Sequence, residues 1–288
     1  MATGKDRQRE LARKHYERQM QRRAEREQRA KKRAVVLSTV GVVVVVGGIV
    51  AATALIGGNA KDSEASSDPT PAATDTATAA AGPKPFDAAT GTCDYVADTA
   101  GEVKDVGMPP AKVDPAKLPT TMTIKTNRGD IVVKLDSAKA PCTVNALAYL
   151  AKEGYYDGSK CHRLGSEQFP MLQCGDPLAK ADGKSQTDGQ GGPGFRMAEE
   201  NLEGATYKRG VMAMAKTSQP GTTGSQFFLV YGDIPILPAE YTLVGTITKG
   251  LDILDKVNKA GVLTPGPDGT GAPKESVEFE DVTMAGKS

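Results

Sequence analysis

Tryptophan is absent from the 288 residues, and the remaining aromatics are 8 tyrosines and 6 phenylalanines. Histidine is almost absent too, with His15 and His162 the only two. The four cysteines, Cys93, Cys142, Cys161 and Cys174, form no CxxC pair. The chain therefore offers no compact Cys/His set at metal-ligand spacing, and no metal is expected. The glycine-rich stretch 189–194 lacks the Gly-Lys-Ser/Thr ending of a phosphate loop, which excludes a nucleotide function there. Its glycines serve tight turns and close backbone passage instead. No regular alternation of strand with long helix occurs, so a doubly wound sheet is excluded.

The formal net charge of +1 says nothing about partners, but its distribution is uneven. Residues 1–33 hold 13 Lys/Arg against 5 Asp/Glu, and the rest hold 23 against 30. The head (1–33) is polar throughout, with no apolar stripe to bury, and reads as a solvated basic segment rather than a nucleic-acid binder. Residues 34–57 carry no charge. At 1.5 Å per residue a helix of that length crosses a hydrocarbon core of about 30 Å, so a single transmembrane anchor is expected. Lys31-Lys32-Arg33 abuts the run, which by the positive-inside rule places the N-terminus in the cytoplasm and the chain beyond Gly58 outside. A cleaved signal peptide usually has a shorter apolar core and is the lesser reading. Residues 58–92, rich in Ala, Thr, Asp, Pro and Ser, read as a flexible tether. Residues 93–119 form an arm that either packs along the folded domain or continues the tether.

The folded domain is expected at 120–286. TMTIKT (121–126) alternates as a half-buried strand does, Asn127-Arg128-Gly129-Asp130 is turn material, and IVVKL (131–135) resumes as a strand, which together predict a hairpin. Pro141 opens a helix of about a dozen residues that Gly154 can end. Short strands are expected near 161–164, 171–174, 195–198, 211–215, 226–231, 242–248 and 277–284, with a helix near 251–259. The expected class is all-β: a closed eight-stranded antiparallel barrel capped by two helices and preceded by the transmembrane helix.

Four blocks carry chemistry: CHRL (161–164), FPMLQCGDP (169–177), GQGGPGF (189–195), and RGVMAMAK (209–216) joined to TTGSQFFLVYGD (222–233). In order, spacing and wording they resemble the cyclophilin family of peptidyl-prolyl isomerases over roughly 120–284. The anchor and tether resemble those of surface-attached actinobacterial members. The resemblance implies that Arg163 is the catalytic arginine, donating hydrogen bonds toward the proline nitrogen. The barrier of about 18–20 kcal/mol arises from C–N double-bond character. Drawing the nitrogen lone pair out of resonance lowers it with no covalent intermediate. Gln173 and Gln226 match the family's two glutamines, which orient the arginine and bind substrate backbone. Met171, Phe228, Leu237 and Phe169 are expected to wall an apolar proline pocket, with Tyr241 on its rim. Strict counting back from Gln173 puts Pro170 rather than Phe169 at the pocket position. Ala215-Lys216 resembles the segment that pairs with extended substrate. In Phe227-Phe228 only one ring can face the pocket, since neighbouring strand residues point to opposite faces. The resemblance chooses Phe228. His162 reads as a structural histidine facing away from substrate.

Departures from the family pattern are also legible. Its pocket-edge tryptophan is replaced, with Ile236 the nearest match, so cyclic peptide ligands that use the indole N–H are expected to bind weakly. Lys216 replaces a common asparagine, Cys161 a common phenylalanine, and the loop 178–190 is long and polar. An exported domain sits where disulfides form. Of the three complete pairings that four cysteines allow, Cys161–Cys174 across a strand–turn–strand unit and Cys93–Cys142 pinning the arm are the expected ones. The expected activity is isomerisation of prolyl bonds in exported polypeptides, without cofactor or nucleic acid and with no sign of an oligomer. The alternative is a module that binds proline-containing segments and turns them over only incidentally.

Overall fold

The computed structural model describes residues 82–286. The basic head, the apolar run 34–57 and the tether as far as residue 81 lie outside those residues. Among the described residues no helix is long and apolar enough to cross a membrane.

In chain order the elements are β1 (Val96–Ala97), β2 (Glu102–Val103), β3 (Thr121–Thr126), β4 (Gly129–Leu135), α1 (Pro141–Lys152), β5 (Arg163–Leu164) and β6 (Met171–Cys174). Next come β7 (Gly191–Gly192), β8 (Phe195–Arg196), β9 (Val211–Met214), β10 (Phe227–Val230), β11 (Leu243–Lys249), α2 (Leu251–Ala260) and β12 (Phe279–Ala285). β3 and β4 pair from Thr121↔Lys134 to Thr126↔Gly129. The turn is closed by the Thr126 hydroxyl donating to the Gly129 carbonyl at 2.7 Å. Gly129 there adopts φ 112, a conformation that side chains disfavour. Pro141 sits in the first turn of α1, where its missing N–H costs nothing. The cap comes from far along the chain: the Glu200 carboxylate accepts the Cys142 and Thr143 N–H groups at 3.1 and 2.8 Å. α2 buries Ile253, Leu254 and Val257.

Eight strands form one sheet in the order β12-β3-β4-β11-β9-β10-β6-β5, with every neighbouring pair antiparallel. The strand number matches expectation; closure does not. The sheet is strongly curled but open, with β12 and β5 at its edges. Lys160 and Glu278 form a single bridge. Beside it the Cys161 N–H donates to Val277 O and the Phe279 N–H to Ser159 O, both at 2.9 Å. No ladder continues from there, because β5 has only two residues and the chain before it turns at Gly158 with φ 74.

Residues 82–92, which fall in the stretch expected as tether, make defined contacts with one another and with the domain. The Asp87 carboxylate accepts the Ala89 N–H and the Thr90 hydroxyl at 3.0 and 2.7 Å, and Phe86 packs on the core. The arm then runs along the domain. β1 pairs antiparallel with β8 and β2 parallel with β7. A disulfide joins Cys93 to Cys142 in α1. The Tyr95 hydroxyl donates to the Cys142 carbonyl at 2.9 Å.

Alternation divides β5, β6, β9 and β10 between two apolar clusters. Leu164, Leu172, Cys174, Met212, Met214, Phe227 and Leu229 point into the main core. Met171, Ala213, Phe228 and Val230 point the other way, into a second cluster. That second face carries the candidate site.

Candidate active site

Register assembles the site. Arg163 on β5 is opposite Gln173 on β6; Gln173 is opposite Phe228 on β10; Phe228 is opposite Ala213 on β9. Directly opposed residues share a face, so these four side chains stand in a row across four strands. Met171, two residues from Gln173, and Gln226, two from Phe228, fall on that face too.

The Arg163 side chain is 40% exposed, and its guanidinium is held at three nitrogens. Nε donates to the Thr270 hydroxyl at 3.1 Å, Nη1 to Gln173 Oε1 at 3.5 Å and Nη2 to Asp268 Oδ2 at 3.3 Å. A guanidinium has five N–H donors, so two remain for a ligand. Burial alone pushes the Asp268 carboxyl up. Hydrogen bonds from the Thr270 N–H and hydroxyl, with the Arg163 charge, outweigh it and hold Asp268 below the usual carboxylate range. An ionised Asp268 therefore stays beside the arginine at neutral pH. Gln173 passes the alignment on, its Nε2 donating to Gln226 Oε1 at 2.9 Å. Gln226 Nε2 in turn donates to the Gly189 and Gly191 carbonyls, both at 2.9 Å. The glutamines thus form a relay fixed at its far end by the glycine-rich loop. The long loop 178–190 ends in that mooring, with Asp176 Oδ2 accepting the Gly189 N–H at 2.7 Å.

The apolar wall comes from the second cluster. Met171 and Phe228 are buried in it, and Phe169, Ala215, Leu237 and Tyr241 pack against it. The Tyr241 ring lies edge-on to Phe228 at 5.8 Å. Phe169 joins this cluster, whereas Pro170 is buried against Gly232 with its carbonyl accepting the Tyr231 N–H. Ile236 is exposed. Lys216 folds back on the rim: Nζ is 5.3 Å from the Tyr241 ring centroid and 3.6 Å from Glu240 Oε2. The Ala215 N–H is bonded to Gln226 O at 2.8 Å. Beside this apolar wall a hollow of about 470 Å³ runs from Gln173, Gln226, Ala215 and Lys216 to Asp98 and Val103 of the arm. Nine of the ten expected catalytic and substrate-binding residues belong to the second cluster or line the hollow, and Arg163 reaches them through Gln173. A second disulfide, Cys161–Cys174, brackets the Arg163–Gln173 pair.

Sequence reasoning missed Thr270, Asp268, Tyr207 and the glycine carbonyls that moor Gln226. Tyr207 sits under the pocket, its hydroxyl donating to the Tyr241 carbonyl at 2.9 Å. The Asp268-Gly269 turn was the only local signal for the Arg163 support, and nothing near it points 105 residues back.

His162 is buried behind the site, and neither ring nitrogen has a hydrogen-bond partner among the described residues. Burial lowers its pKa below the usual imidazole range; Asp176 and Asp188 oppose the shift and Arg163 reinforces it. The unfolded ring titrates near 6.5. Between that pH and the lower folded value the unfolded state binds more protons, so stability falls as pH drops through the window. The slope is up to about 1.4 kcal/mol per pH unit. Urea midpoints from pH 7 to 5 are expected to fall more steeply for wild type than for His162→Gln; parallel profiles would contradict the assignment.

The sequence model of the family described as Cyclophilin type peptidyl-prolyl cis-trans isomerase/CLD matches residues 121–284. The "Probable peptidyl-prolyl cis-trans isomerase B" of Mycobacterium leprae is 40% identical over a 203-residue alignment that covers 65% of this chain and 65% of that one. The match thus spans just under two thirds of that relative's length. The "Peptidyl-prolyl cis-trans isomerase" of Helicobacter pylori is 38% identical over 144 residues, 49% of this chain and 82% of that one. A solved Cryptosporidium parvum cyclophilin type peptidyl-prolyl cis-trans isomerase, crystallised with the dipeptide Ala-Pro, is 26% identical. Its TM-score is 0.49, over 58% of this chain and 99% of that one.

Proposed function

Since the chain belongs to the cyclophilin-type peptidyl-prolyl cis-trans isomerase family, we propose that its domain interconverts cis and trans peptide bonds preceding proline, with Arg163 as the catalytic residue. The observation that carries this reading is the row Arg163–Gln173–Phe228, which sets a directed cation beside an apolar pocket. A proline ring packs on Met171, Phe228 and Leu237. The free N–H groups of Arg163 then reach the amide as it twists, when its nitrogen becomes a better acceptor. The stabilisation is largest at the twisted geometry, which is what accelerates a reaction. Gln173 keeps the guanidinium aimed, Gln226 keeps Gln173 in place and meets substrate backbone, and Ala215-Lys216 aligns the extended chain.

The substrates proposed are exported polypeptides. Residues 34–57 would anchor the protein in the lipid bilayer, with the N-terminus cytoplasmic and the domain outside. Support comes from the uncharged run, the adjoining Lys31-Lys32-Arg33, and two disulfides of a kind that persists in oxidising compartments. Turnover of a proline peptide by the full chain tests the reaction; a rate equal to the uncatalysed one sinks it. Protease added to intact cells is expected to remove the domain, and full protection would refute the placement.

A further inference from the structure

The groove beside Gln226 has a wall that the family match does not include. The match begins at residue 121, whereas Asp98, Ala100, Gly101 and Val103 line the 470 Å³ hollow opposite Ala215, Thr217 and Gln226. We propose that this arm segment forms a selectivity subsite, which favours a basic side chain on the polypeptide near its proline. The inference rests on the isomerase reading above.

The wall is built in. β1 and β2 are paired with β8 and β7, the Asp98 N–H donates to the Gly194 carbonyl at 2.9 Å, and the Cys93–Cys142 disulfide fixes the arm upstream. The cavity is continuous with the reaction site, because Gln173, Gln226, Ala215 and Lys216 border both. An extended chain advances about 3.3 Å per residue, so a residue near the proline, rather than the proline itself, is the one that meets the arm; the second and third neighbours are the positions to vary.

Charge decides the class of side chain. Asp98 and Lys216 are the ionic groups lining the hollow. Lys216 is withdrawn, its side chain only 5% exposed and committed to Glu240 and the Tyr241 ring. Asp98 is not: Oδ1 accepts the Ala100 N–H at 3.0 Å, and the carboxylate's other lone pairs remain for an incoming donor. The Thr217 and Thr222 hydroxyls bond each other at 2.9 Å and add no charge. Val103, 39% exposed, offers an apolar surface for the stem of a lysine or arginine.

The test measures kcat/KM of the full chain on peptides carrying Lys, Ala or Glu, one position at a time, two or three residues from the proline on either side. Wild type is expected to prefer Lys over Glu at one position by roughly two- to fivefold, the range for a solvent-screened pair, and less so in concentrated salt. Asp98→Asn keeps the acceptor for the Ala100 N–H and removes the charge, so the ratio should approach one. Asp98→Lys should invert it. A ratio unchanged across the three proteins overturns the subsite alone; no turnover of the Ala peptide by wild type overturns the isomerase reading and the subsite with it.

Discussion

Replacing Arg163 by alanine is expected to lower kcat/KM on a proline-containing peptide by about 100- to 1,000-fold, the loss seen when one preorganised transition-state donor is removed. The fold should survive. The side chain is 40% exposed, and its ion-pair partner Asp268 is 43% exposed. A solvent-screened pair of this kind contributes less than about 1 kcal/mol. Arg163→Lys should recover little. An ammonium is a point charge and cannot donate at once to Thr270, Gln173, Asp268 and a twisting amide, as the guanidinium fork does. Unfolding midpoints measured beside the rates separate a catalytic defect from a folding one. Near-wild-type turnover in folded Arg163→Ala would remove Arg163 from its role.

Phe227 and Phe228 should respond to alanine in opposite ways. Phe227 is fully buried in the main core, stacked on Phe279 at 6.1 Å and edge-on to Tyr156 at 6.0 Å. Its loss leaves a cavity that the strands cannot collapse around, costing about 3–5 kcal/mol of stability. Phe228 lies in the second cluster against Tyr207 and Tyr241. Truncating it removes pocket wall that a ligand would cover. The expected result is a raised KM with a smaller stability loss than at Phe227. Urea denaturation and steady-state kinetics on both variants check this, and a larger stability loss at Phe228 would place the pocket elsewhere.

That opposition was legible in the sequence because a strand's period of two is local. The same rule separates Met171 and Gln173 from Leu172 and Cys174, and so distributes β6 between core and site. Pro141 and Gly154 marked α1 for equally local reasons. What escaped was non-local or too short to have a period. β1, β2 and β7 have two residues each and exist because the arm meets the glycine-rich loop. The Glu200 cap on α1 joins residues 57 and 58 positions apart, and Thr270 supports Arg163 across 107. Closure of the sheet was expected from strand count, but it depends on whether the segment before β5 keeps pairing with β12, and beyond one bridge it does not. The candidate site residues were chosen through wording shared with a family; that Arg163, Gln173, Phe228 and Ala213 share one sheet face crossing four strands became visible only once register was known.

The central claim is best tested by exchange spectroscopy on a proline-containing peptide with the full chain, since this separates catalysis from binding. The expected result is that wild type raises the cis-to-trans and trans-to-cis rates by the same factor and leaves the equilibrium unaltered. Arg163→Ala should still shift the peptide resonances while the accelerated exchange is lost. Binding shifts with no acceleration by wild type would contradict the claim and leave a proline-segment binding module in its place.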